Sequence, residues 1–146
     1  MEKLNDITFY TIDKAIRSYR MYAQKKLKEN GFKITIDQWL VIKSILENPG
    51  ISQLELGEKA FKDNASVTRI IELLVKANYL KKEVNPNDRR TSNLTVTNEG
   101  KLIVENVHEV VLQNRKTALN GVSMEDLEVL NKTLKTIITN CNQNNS

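Results

Sequence analysis

The chain has 146 residues, 40% of them hydrophobic and 27% charged, and its 22 Lys and Arg against 18 Asp and Glu give a net charge of +4. That length suits one domain with a real core, and no run approaches the roughly 18 apolar residues of a membrane helix. A single cysteine, Cys141, and a single histidine, His108, exclude an intrachain disulfide and argue against a Cys/His zinc site. The N-terminus MEKLNDITFY has neither the basic n-region nor the apolar h-region of a signal peptide, which leads to the expectation of a cytoplasmic protein with no membrane partner. Charge is unevenly spread. Residues 1–33 hold 8 Lys/Arg and 4 Asp/Glu, residues 34–58 hold 1 and 4, residues 59–93 hold 8 and 4, and residues 94–146 hold 5 and 6. The positive excess therefore lies on the first and third stretches, and basic surface of this kind attracts phosphate.

In chain order, residues 7–29 read as an amphipathic helix. Ile12, Ile16, Tyr19, Ala23 and Leu27 step along one face, and Asn30-Gly31 ends it, with Gly31 suited to the left-handed position after a helix. Tyr10, Tyr19 and Tyr22 cluster there, as core packing, a ligand pocket or a subunit interface would each have them. Thr35-Ile36-Asp37-Gln38 is a T-x-x-Q capping box opening a second helix, with Trp39, Leu40, Ile42, Ile45 and Leu46 apolar. Ser52-Gln53-Leu54-Glu55 is a second capping box and opens a short helix to about Ala60. Gly57 lies inside that helix, where a small residue makes sense if another helix approaches closely. Phe61-Lys62-Asp63 is a turn into the next helix, which makes a helix-turn-helix over 52–77.

That next helix starts at Asn64, taken as its N-cap. Val67, Ile70, Ile71 and Leu74 form its apolar stripe, while Ser66, Thr68, Arg69 and Glu72 occupy the opposite face. Short hydroxyls and an arginine at a helix N-terminus are the groups that meet base edges and phosphates in a major groove. Asn78 is a plausible left-handed stop. Tyr79–Val84 and Asn93–Thr97 then read as two strands around a breaker run, Asn85–Arg90, whose turn is cationic. Thr97 caps a long helix to about Thr117, Asn120-Gly121 breaks it, and Ser123 begins the last helix. Leu127, Leu130, Leu134, Ile137 and Cys141 there form a narrow seam of the kind that wants a partner helix, and a cysteine buried on such a seam is an inert small hydrophobe. Residues 142–146 are a polar tail, expected to fray.

With Ser52–Leu56, the V-T-R helix at Ser66–Ile70, the D-R-R run at Asp88–Arg90 and the L-x-x-T-x-x-G run from Leu94 to Gly100 in place, the sequence resembles the MarR family of bacterial transcriptional regulators over nearly its whole length. The resemblance implies a mainly α fold with a small β-hairpin wing: a winged helix-turn-helix lobe over about 35–98, and dimerisation helices over about 5–30 and 99–141. The whole chain would be one domain and an obligate homodimer on a pseudo-palindromic double-stranded DNA operator. By position, Ser66, Thr68 and Arg69 would contact the major groove. Arg90 would enter the minor groove, held by Asp88, with Arg89 on phosphate, and a narrow minor groove is where arginine fits best. Most members carry Gly at the position of Asn78 and Ala at that of Gly57. The reactive cysteine that peroxide-sensing members keep in the first helix is absent here. The family's other mode, a small aromatic or phenolic effector, makes Arg17, Tyr19, Tyr22, Trp39 and His108 the candidate pocket residues. No cofactor or metal is implied. The expectation is thus a dimeric regulator, a repressor released by a small molecule. A winged-helix protein–protein module is the alternative, since fold does not dictate function. An enzyme has no support, because no nucleophile–base, paired-carboxylate, P-loop or metal-ligand pattern is visible.

Overall fold

The computed structural model describes residues 1–143, with the side chains of residues 88–92 outside the description. A 3-10 turn at Leu4–Asp6 leads into α1 (Thr8–Glu29), followed by α2 (Ile36–Glu47), α3 (Gln53–Ala60) and α4 (Asn64–Lys76). A two-stranded antiparallel hairpin comes next, β1 (Leu80–Asn85) and β2 (Asp88–Val96), and then α5 (Asn98–Ala118) and α6 (Met124–Gln143). The chain divides into two compact units, Met1–Asn114 and Arg115–Ser146.

Local chemistry explains most helix boundaries. At α2 both halves of the capping box form: Thr35 Oγ1 accepts from the Gln38 amide and Gln38 Oε1 from the Thr35 amide, each at 3.0 Å. At α3 only one half forms. Ser52 Oγ accepts from the Glu55 amide at 3.1 Å, while the Glu55 carboxylate takes the Ser52 hydroxyl rather than its backbone N–H. The cap of α4 is Asp63, one residue earlier than expected, and its Oδ1 accepts from the Ser66 amide at 2.7 Å. Asn64 is displaced into the helix because its own carboxamide oxygen is occupied by Gln53 Nε2 at 2.9 Å.

Helix α4 ends as expected. Asn78 has φ +64, its amide donates to Val75 O at 3.0 Å, and the Tyr79 amide donates to Leu74 O at 2.9 Å. This is the paired closure that lets a left-handed residue satisfy the last carbonyls. The wing differs from expectation in its turn. Only Pro86 and Asn87 connect the strands, and the Asn85 carboxamide oxygen accepts from the Asn87 amide at 3.0 Å. That side-chain turn closes the hairpin in two residues, so Asp88, Arg89 and Arg90 belong to β2 rather than to the turn. The ladder runs from Leu80↔Val96 to Val84↔Ser92, with a register shift between Val84 and Asn85.

The core of the first unit gathers Val41 and Ile42 of α2, Leu56 of α3, Val67, Ile71 and Leu74 of α4, Leu80 and Val96 of the hairpin, and Val107 of α5. The apolar stripes read on α2 and α4 are thus spent on the same centre. At Gly57 a Cβ would lie 2.8 Å from the Lys62 carbonyl oxygen and 3.5 Å from Val67 Cγ2 of α4, so the glycine makes room chiefly for the returning turn, with the neighbouring helix next to it.

In the second unit, Gly121 (φ +85) turns the chain and Ser123 Oγ caps α6 by accepting from the Asp126 amide at 3.0 Å. Helix α6 has no buried residue over its 20 positions. Cys141 is exposed, not buried as its apolar seam suggested.

Candidate nucleic-acid interface

Helices α3 and α4 meet at nearly their N-terminal ends, and the side chains expected to read DNA stand on that corner. Ser66 and Thr68 are half-buried and Arg69 is exposed. The Arg69 guanidinium makes no hydrogen bond or ion pair among the described residues, so its charge is available to a phosphate or a base edge. Ser66 is already committed to the cap. Its amide, and then its hydroxyl, hold the Asp63 carboxyl below its ordinary value of 3.8. Thr68 is also committed: its hydroxyl donates to Asn64 O at 2.9 Å and accepts from Gln53 Nε2 at 2.7 Å. Gln53 was not singled out by the sequence. The available signal was a polar residue directly after a helix cap in the first helix of the helix-turn-helix, and its role shows only once α3 and α4 are packed.

The turn before α4 is built under constraint. Phe61 takes a left-handed conformation, φ +57, yet its ring is 85% exposed, so core burial does not explain it. Lys62 Nζ lies 3.4 Å from Asp37 Oδ2, and the other Asp37 oxygen is bound by Arg20 of α1. One half-buried carboxylate therefore ties α1, α2 and the turn that introduces α4.

The wing carries the remaining expected contacts. Asp88, Arg89 and Arg90 sit on β2, and their side chains lie outside the described residues. The base of the wing is fixed firmly to α5. The Thr97 hydroxyl donates to Asn78 O at 2.6 Å and accepts from the Gly100 amide at 3.0 Å, and the Thr97 amide donates to Tyr79 O at 3.1 Å. Gly100 is required there, since a Cβ would lie 2.2 Å from Tyr79 O. The L-x-x-T-x-x-G run thus has a mechanical reason: its threonine and glycine fasten the second strand and α5 onto the end of α4.

The sequence model of the MarR family matches residues 34–92, from the start of α2 to the outer part of the wing. Residues 34–92 form a MarR-family domain. Among solved structures, BpsR of Bordetella bronchiseptica, whose DNA binding is regulated by 6-hydroxynicotinic acid, is 19% identical at a TM-score of 0.83, covering 94% of this chain and 96% of that one. A variant of MarR from E. coli, complexed with operator DNA, is 23% identical at a TM-score of 0.81, covering 94% of this chain and 99% of that one. A protein of unknown function from Listeria innocua is 26% identical at a TM-score of 0.67, covering 90% of each chain. The winged-helix fold of MarR-family transcriptional regulators therefore extends over nearly the whole chain, beyond the matched MarR domain.

The five expected effector residues all lie in the first unit. Arg17 is paired with Asp13 at 3.0 Å on the exposed side of α1. Tyr19 and Tyr22 are half-buried, the latter with Lys26 Nζ 5.7 Å from its ring centroid. Trp39 packs against the core from α2, and His108 is exposed on α5. A groove of about 530 Å³ beside α1 is lined by other residues, among them Arg20, Gln24, Lys28 and Asp37. Among the described residues, no helix is long and apolar enough to cross a membrane.

Proposed function

We propose that this protein is a dimeric, sequence-specific DNA-binding transcriptional regulator, a repressor that a small-molecule effector releases from its operator. The observation that carries the reading is the Arg69 guanidinium on the outer face of α4, without a partner among the described residues, beside Ser66 and Thr68, in a fold whose E. coli representative is seen on operator DNA. Ser66, Thr68 and Arg69 would meet the major groove. Arg90, supported by Asp88 and flanked by Arg89, would take the minor groove and phosphate. Such a protein works in the cytoplasm, where its DNA is.

Dimerisation is supported by apolar surface that the chain leaves uncovered: Phe9 and Ile16 on α1, Leu112 on α5, and Leu130 and Ile138 on α6 are all exposed. A second copy of the chain is the partner that buries them, and a two-fold dimer presents two copies of α4 about one helical turn of DNA apart, roughly 10 bp. Release by an effector is supported by BpsR, whose DNA binding is regulated by an aromatic acid. In this chain Tyr19, Tyr22 and Trp39 offer half-buried aromatic surface, with Arg17 and His108 as polar partners. An effector acts by favouring a dimer whose reading helices are wrongly spaced for successive grooves.

Fluorescence anisotropy tests this directly. DNA from the protein's own upstream region is compared with scrambled DNA across a salt series. Preferential binding that saturates at two chains per site with a steep salt dependence is the expected result. Equal and weak binding to all DNA offered, with the dimer intact, would overturn the reading in favour of a protein-binding winged helix.

A further inference from the structure

We infer that Gln53, on the first helix of the helix-turn-helix, fixes Thr68 so that it reads a thymine through its methyl group rather than any base through its hydroxyl. The inference rests on the DNA-binding reading above and adds a positioning residue and a base preference to it.

The argument starts from the hydrogen-bonding capacity of one hydroxyl, which has a single proton to give. In Thr68 that proton goes to the carbonyl oxygen of Asn64, at 2.9 Å, one helical turn back. Gln53 Nε2 donates to the same hydroxyl oxygen at 2.7 Å, so one of its lone pairs is also taken. The second N–H of that carboxamide is directed at Asn64, 2.9 Å from Oδ1 and 3.5 Å from the backbone oxygen. Gln53 therefore fastens the first turn of α4 to α3 at two points and holds the Thr68 hydroxyl in place. Most hydrogen-bonding atoms on the major-groove edge are acceptors: N7 and O6 of guanine, N7 of adenine and O4 of thymine. A hydroxyl without a free proton cannot serve them. The γ-methyl of Thr68 has no such commitment, and its natural counterpart on a base edge is the 5-methyl of thymine.

The test uses a duplex enriched by the wild-type protein from a random-sequence pool. Each dT in it is replaced singly by dU, which removes the 5-methyl and changes no hydrogen-bonding group. One thymine per half-site is expected to respond, its replacement weakening wild-type binding about fourfold, the worth of roughly one buried methyl. At that position Thr68→Ser, which keeps the hydroxyl network and loses the methyl, binds dT and dU alike. Thr68→Val, which keeps a methyl and loses the hydroxyl, retains the preference whatever its overall affinity. Gln53→Ala narrows the preference in the wild-type background more than in the Thr68→Val background, where its bond to the Thr68 hydroxyl is already gone and only that to Asn64 is left to lose. Gln53→Met, of similar length and without donors, gives the same narrowing and guards against a folding defect in the alanine variant.

A dU scan with no sensitive position, a Thr68→Ser variant that still prefers dT, or a preference untouched by both Gln53 variants would each overturn the inference alone. A pool from which the wild type enriches no sequence would overturn the DNA-binding reading, and the inference with it.

Discussion

Replacing Gly100 by alanine places one carbon where the end of α4 already stands. The new Cβ would lie 2.2 Å from Tyr79 O, 2.8 Å from Val96 Cγ1 and 3.1 Å from the Tyr79 carbonyl carbon. Two of these atoms are backbone and cannot swing aside, so the first turn of α5 must move away from the α4–β1 joint. That motion stretches the bonds from Thr97 to Tyr79 O and Asn78 O, each worth about 1 kcal/mol, and adds an overpacking cost of about 1–3 kcal/mol. Against this, alanine returns about 0.5–1 kcal/mol of helix propensity over glycine. The net expectation is a loss of about 2–4 kcal/mol, or roughly 6–15 °C in the unfolding midpoint of a chain this size. Thermal unfolding followed by circular dichroism measures it, with protein concentration held fixed because the midpoint of the proposed dimer would depend on it. Lys101→Ala, at the exposed neighbouring position, serves as control. A Gly100→Ala midpoint equal to or above that of the wild type would refute the reasoning, for it would mean that helix propensity outweighs the contact.

Four other expectations follow, three from the nucleic-acid interface and one from α6. Asp63 is held below its ordinary value of 3.8 in the folded chain, so its stabilising effect is complete well above that pH and disappears as the pH falls below it. Chemical denaturation across pH should accordingly show a wild-type advantage over Asp63→Asn at neutral pH that vanishes in acid, and a pH-independent difference would contradict the ionised cap. Arg69→Ala should weaken binding to an enriched duplex by about 1–3 kcal/mol and relax its sequence preference, as loss of a base-edge contact does. Arg90→Ala should instead lower affinity for all sequences and make the salt slope shallower by about 1. Leu130→Asp places a charge on the uncovered seam of α6 and should convert a dimer to a monomer in light scattering while the helical signal is kept.

Features that depend on neighbours in sequence were legible before the fold. The Thr35 capping box involves two residues three positions apart, and the Asn78 stop needs only a residue tolerant of positive φ. The start of α4 was misplaced by one residue for a tertiary reason. Asp63 and Asn64 are both good caps, and the choice falls to Asp63 because Gln53, eleven positions before Asn64, occupies the carboxamide. The turn of the wing was drawn too long because five polar residues and a proline all look like breakers, whereas the Asn85 side chain closes the loop in two. The threonine and glycine before and within α5 were visible as a pattern. Their reason, the nearness of Tyr79, belongs to the packed structure. Gln53 was invisible for the same cause, since a glutamine after a helix cap is ordinary until another helix is laid beside it.

The shared carboxylate of Asp37 alters how a salt titration of this protein is to be interpreted. Its ties to Arg20 and Lys62 are partly solvated, and ion pairs of that kind weaken as salt rises. The ions that compete for DNA phosphates in such an experiment thus also loosen the link between the first helix and the turn that introduces α4. The measured slope then combines displaced counterions with a softening of the protein's own scaffold, and a phosphate count taken from it directly is too large. Asp37→Asn removes the second contribution, so the difference between the two slopes reports the stiffness of that junction and the variant's slope reports the DNA contacts.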